Sequence, residues 1–84
     1  MDTFQSRVVT LHYNNQVETR FTFLGDCWKE ERFHRDRLRE DRGRLSLADV
    51  LAAIGYHQLP REEALRIDPR GAAALTPEDL LLKA

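Results

Sequence analysis

The segment Ser46 to Tyr56, S-L-A-D-V-L-A-A-I-G-Y, constrains this chain more than any other, because start signal, apolar spacing and stop signal agree there. Leu47, Val50, Leu51 and Ile54 fall at i, i+3, i+4 and i+7, one stripe of a helix that must be buried. Ser46 is placed to accept from the backbone N–H of Asp49, and Asp49 puts negative charge in the positive first turn. Gly55 can take the left-handed conformation that stops the helix, with Tyr56 folding back on Leu51. A helix of this kind needs an apolar floor, and the residues before it supply one.

Val9, Leu11, Tyr13, Val17, Phe21 and Phe23 alternate with Thr10, His12, Glu18, Arg20 and Thr22, which predicts an antiparallel hairpin over about residues 8–24. Asn14 and Asn15 mark its turn, since Asn tolerates left-handed backbone. A two-residue loop would set Leu11 against Glu18 on the apolar face. A three-residue loop, Asn14 to Gln16, pairs Tyr13 with Val17, Leu11 with Thr19 and Val9 with Phe21, keeping that face apolar. The same register sets His12 opposite Glu18 and Thr10 opposite Arg20. A lone hairpin is marginal in water, so helices must cover it and its free edges must be protected or paired, for example in a homodimer or by a partner's strand.

Between hairpin and helix lies the densest charge in the chain. Of the sixteen residues Lys29 to Arg44, seven are basic and five acidic. Gly25 and Asp26 break the strand, and the i, i+4 pairs Glu31–Arg35 and Arg32–Asp36 favour a second helix over about residues 27–42, capped by Asp26 and ended by Gly43. Trp28, Phe33 and Leu38 are five apart and point in three directions, so this helix is expected to project from the domain or dock lightly. On such a helix Arg32, Arg35, Arg39 and Arg42 would share one arc with Trp28. A guanidinium row beside an indole suits bidentate contacts to carboxylates or phosphates. These five residues are the expected partner-binding set. The competing reading is an ordinary solvated face, its cations balanced by Glu31, Asp36, Glu40 and Asp41.

Further on, Pro60 opens a helix over about 60–67, with Pro69 and Gly71 closing it and Ala72 to Leu75 ambiguous. Thr76 as cap, Pro77 first and Asp79 third announce a last helix over about 77–83, with Leu75 stapled to Leu80. The expected fold is α+β in a single domain of 84 residues: an N-terminal antiparallel hairpin packed against three to four helices.

Chemistry is indicated mainly by exclusion. The formal charge is −1, so no global field draws the chain to nucleic acid or anionic lipid. The pair of helices from Ser46 to Ile67 fails as a DNA-reading motif, because Glu62 and Glu63 would face phosphates. One cysteine, Cys27, excludes an internal disulfide, fits a reducing compartment, and is best read as a small packed residue. Cys27, His12 and His34 lack metal-ligand spacing, so neither metal nor cofactor is expected. No nucleophile–base set, paired carboxylate or phosphate-cradling glycine loop is visible. There is no apolar run of membrane length and no signal-peptide pattern. With thirteen basic residues of which only Lys29 and Lys83 are lysine, the composition suggests a GC-rich bacterial source. The expectation is a small cytoplasmic, non-enzymatic bacterial protein that binds another protein, an acidic one given the arginines, as regulator, adaptor or inhibitor. Nucleic-acid binding by the arginine face is the alternative.

Overall fold

The computed structural model describes residues 7–55 and 58–80, and the side chains of all of these except 58 and 80. These residues form a four-stranded antiparallel sheet whose strands lie side by side in chain order: β1 (Val8–His12), β2 (Val17–Phe23), β3 (Trp28–His34) and β4 (Arg37–Leu45). Four short helices follow: α1 (Leu47–Ile54), α2 (Gln58–Ile67), α3 (Pro69–Ala73) and α4 (Pro77–Leu80). The class is α+β, but the sheet is twice as wide as the expected hairpin.

The β1–β2 hairpin has the predicted register, with Val9 opposite Phe21, Leu11 opposite Thr19, Thr10 opposite Arg20 and His12 opposite Glu18. The Tyr13 N–H donates to the Val17 carbonyl at 2.9 Å, closing the three-residue loop. Asn14 serves the loop differently from expectation. Neither Asn14 nor Asn15 has positive φ; instead the Asn14 carboxamide oxygen accepts from the N–H groups of Gln16 and Val17 at 2.7 and 2.9 Å. Tyr13 lies beyond the buried floor and is exposed.

The expected helix over 27–42 does not exist. Its residues form β3 and β4, joined by a two-residue turn at Arg35 and Asp36 with φ of +54° and +66°. Two successive left-handed residues cannot continue a right-handed helix, whereas they give a turn whose twist matches its flanking strands. The physical driver is the free edge of β2, whose backbone groups β3 satisfies from Val17↔His34 to Phe23↔Trp28. The anticipated pairs Glu31–Arg35 and Arg32–Asp36 do not form: Glu31 meets Lys29 on its own strand, and Arg32 meets Glu30 and, across the strands, Glu40. Asp26 caps no helix; it lies in the β2–β3 turn, where Gly25 has φ of +107° and the Leu24 N–H donates to the Cys27 carbonyl at 2.8 Å. Gly43 lies within β4, next to Arg44 at φ +56°, where the pairing with β3 slips between Trp28↔Leu45 and Glu30↔Arg42. A second slip separates Arg32↔Glu40 from Phe33↔Leu38. Both are bulges, which twist a strand and spoil its outer side as a template for pairing.

Helix α1 is as its sequence dictates. The Ser46 hydroxyl accepts from the Asp49 N–H at 3.2 Å, the Asp49 carboxylate accepts from the Ser46 N–H at 3.0 Å, and Gly55 at φ +62° donates to the Leu51 carbonyl. Leu47, Val50, Leu51 and Ile54 are all buried. They meet Val9, Leu11, Phe21, Trp28 and Leu45 from the sheet and Ala64 from α2 in one core. Each large side chain so buried stabilises the fold by about 1.5–3 kcal/mol. The expected contact of Tyr56 with Leu51 lies outside the described residues.

Helix α2 begins two residues before Pro60, which its first turn tolerates because N–H groups there need no intrahelical partner. Pro69 ends it as expected but also opens α3, the segment the sequence left ambiguous, and Gly71 lies inside that turn. Asp68 caps α3, accepting from the Gly71 N–H at 2.9 Å. A Cβ on Gly71 would stand 2.3 Å from the Asp68 Oδ2, so this close approach requires glycine. Thr76 and Asp79 form the reciprocal cap of α4 that the sequence announced. Of the helix expected over 77–83, residues beyond 80 and the Leu75–Leu80 staple lie outside the described residues.

Candidate interaction surface on the β3–β4 hairpin

Strand parity divides the sheet into two faces, and registers across the four strands give their rows. The face toward the helices reads Val9–Phe21–Glu30–Arg42 in one row and Leu11–Thr19–Arg32–Glu40 in the next, with Phe23–Trp28–Leu45 at one end. It is therefore apolar on β1 and β2 and ionic on most of β3 and β4. The opposite face reads His12–Glu18–Phe33–Leu38 and Thr10–Arg20–Glu31–Asp41. No member of these two outer rows is buried.

At the border of the core stands Glu30, only 8% exposed, beside Phe21. Arg42 approaches its carboxylate at 3.6 Å and Arg32 at 3.8 Å, and Arg32 also reaches Glu40 at 3.8 Å. A carboxylate leaving water needs such partners. Two of the five predicted contact residues, Arg32 and Arg42, are thereby engaged in holding the sheet together.

Trp28 is a correction. It is fully buried, tilted against Phe23 at 5.2 Å between ring centroids, and its indole Nε1–H donates to Asp68 Oδ2 at 2.9 Å. It cannot be a partner-binding side chain. Nor do Arg32, Arg35, Arg39 and Arg42 share one arc: Arg32 and Arg42 lie in paired strands, Arg35 in the turn and Arg39 at a bulge.

The hairpin nevertheless carries a basic surface of different membership. Arg35, Arg37, Arg39 and Arg44 are exposed, and none has a carboxylate within 4.0 Å among the described residues. Elsewhere Arg20 is paired with Glu18, Lys29 with Glu31 and Arg66 with Glu63. Arg37 and Arg44 were missed because a helical reading put them off the supposed arc; strand parity and turn position recover them. Over residues 35–44 five arginines face three acids, a local excess of two positive charges in a chain of net charge −1.

The chain matches no protein-family model, no curated protein and no solved structure. The geometry alone must carry the functional reading.

Near the base of the hairpin a shallow depression of about 460 Å³ runs between Asp26, Cys27, Lys29, Glu31, Asp41 and Arg44. Its charges are mixed and it is open to solvent, unlike the enclosed apolar clefts typical of small-molecule sites. Cys27 is a partly buried free thiol in the turn before β3, not at a helix N-terminus. No group of three or more His, Cys, Asp or Glu side chains among the described residues is arranged to hold a metal ion. His12 lies 3.7 Å from Glu18 on the outer face, a surface pair. None of the described helices is long and apolar enough to cross a membrane.

The edges bear on partner strand addition. β2 is flanked on both sides within this chain, so among the described residues β1 and β4 are the outer strands of the sheet. β4 is exposed from Arg37 to Arg44, bulged twice and charged at six of these eight positions, a combination that opposes regular edge-to-edge pairing.

Proposed function

We propose that this is a non-enzymatic protein that acts by binding an acidic partner protein through its β3–β4 hairpin, as a regulator, adaptor or inhibitor working in the cytoplasm. One observation carries the reading: four exposed arginines on a single hairpin, Arg35, Arg37, Arg39 and Arg44, have no carboxylate to neutralise them among the described residues. Guanidinium groups left unpaired among so many carboxylates are available for bidentate contact with another molecule's acids. Such contacts confer orientation and association rate as much as affinity.

An extended polyanion fits the hairpin less well. Glu40 and Asp41 lie between the arginines of β4, and Glu30 and Glu40 already pair with Arg32 and Arg42. A discrete pattern of carboxylates can avoid those acids, whereas a continuous phosphate chain meets them. The test is capture of a partner from the native host, followed by titration against Arg35→Glu and Arg39→Glu. Both substitutions should weaken binding at least tenfold without lowering the melting temperature. Unchanged affinity in both variants removes the hairpin from the interaction.

A further inference from the structure

Resting on that reading, we infer that the hairpin recognises an acidic segment bearing one large apolar side chain, which seats on Phe33 and Leu38 of the helix-free face. Phe33 and Leu38 are cross-strand partners, and they form the apolar end of the outer row that begins at His12 and Glu18. Leu38 is 49% exposed at the tip of a highly charged hairpin. Phe33 is partly exposed, with the Arg20 guanidinium 4.4 Å from its ring centroid and that guanidinium paired to Glu18. The ring is thus held in place by a cation from β2 while Leu38 beside it stays open.

The unpaired cations frame this seat. Arg39 follows Leu38 at the bulge, and Arg35 stands two residues after Phe33 in the turn, whereas Arg37, opposite His34, belongs to the other face. An apolar side chain on Leu38 would therefore bring its flanking carboxylates to Arg35 and Arg39, whose guanidinium groups have no carboxylate within 4.0 Å among the described residues. This is charge complementarity around an anchor, the arrangement that concentrates binding energy at a few residues. A second copy of this chain is the wrong occupant, because two hairpin tips meeting would oppose Arg35 and Arg39 to themselves. Glu31 and Asp41, the adjacent pair on the same face, repel a continuous polyanion and confine the carboxylates of an acidic segment to the Arg35 and Arg39 side of the seat.

Nuclear magnetic resonance titration of the full chain tests the inference with two short synthetic peptides, alike in their aspartates and glutamates but carrying central leucine or central alanine. The leucine peptide should shift the amides of Phe33, Leu38 and Arg39 and bind about tenfold or more tightly than the alanine peptide, the scale expected for burying one leucine. Leu38→Ala should remove that difference while leaving the rest of the spectrum in place. Equal binding of both peptides, abolished by Arg39→Glu, overturns the anchor and leaves the arginine grip intact. Silence of the hairpin amides to both peptides overturns both. Shifts produced by a single-stranded oligonucleotide but not by the peptides, or by raising the protein concentration alone, overturn it in favour of a polyanion or a second copy.

Discussion

The indole Nε1–H of Trp28 donates to the Asp68 carboxylate across forty residues of chain, at 2.9 Å in a buried setting. The bond fastens the start of β3 to the α2–α3 junction. The same carboxylate receives the Gly71 N–H, so one side chain both caps α3 and satisfies the indole. Asp68→Ala should cost about 2–4 kcal/mol, combining a lost cap with one buried indole donor left unmatched. A domain of this size loses roughly 4–8 °C in melting temperature per kcal/mol. Thermal unfolding followed by the emission of Trp28 gives the answer; a change below about 0.5 kcal/mol would mean that the bond is incidental.

Asp36 occupies a left-handed turn position at φ +66°. Asp36→Gly should therefore raise stability, by about 0.5–1 kcal/mol, since glycine relieves that conformation. In a helix the same change would lower stability instead, by about 0.3 kcal/mol. The sign in urea unfolding thus reports directly on whether this segment is strand–turn–strand or helix.

Thr19 is fully buried opposite Leu11, and its hydroxyl has no hydrogen-bond partner among the described residues. Thr19→Val keeps the branched shape and removes the unmatched group, so stability should increase by about 1 kcal/mol. Denaturant midpoints at constant m-value measure this. A loss of stability instead would show that the hydroxyl is satisfied in solution.

What could be read in advance follows from how local each signal is. The β1–β2 register followed from polar–apolar alternation, because one face is buried and a one-residue slip would invert it. The caps at Ser46–Asp49 and Thr76–Asp79 were legible because they span three residues. Residues 28–45 were not, since both faces of β3 and β4 are largely polar there and the period-two signal vanishes. Glu30, Arg32 and His34 alternate with Lys29, Glu31 and Phe33, a sequence equally suited to helix pairs. Pairing with β2 decided the matter, and no local propensity records it. The turn was hidden for a related reason: Arg35–Asp36 lacks the glycine that usually announces such a geometry. The expected contact set placed Trp28 on the outside, whereas it is buried, and the helical arc it assumed for Arg32, Arg35, Arg39 and Arg42 does not exist.

The apolar residues run diagonally across the sheet, and this gives the molecule a thick end and a thin one. Around Trp28 it is two-ply, sheet beneath helices; toward Arg35 and Asp36, past the Leu11–Thr19 row, none of the described sheet residues is buried on either surface. A sheet end of that kind offers a visitor both surfaces at once, so it can be clasped between two jaws as readily as laid against a wall.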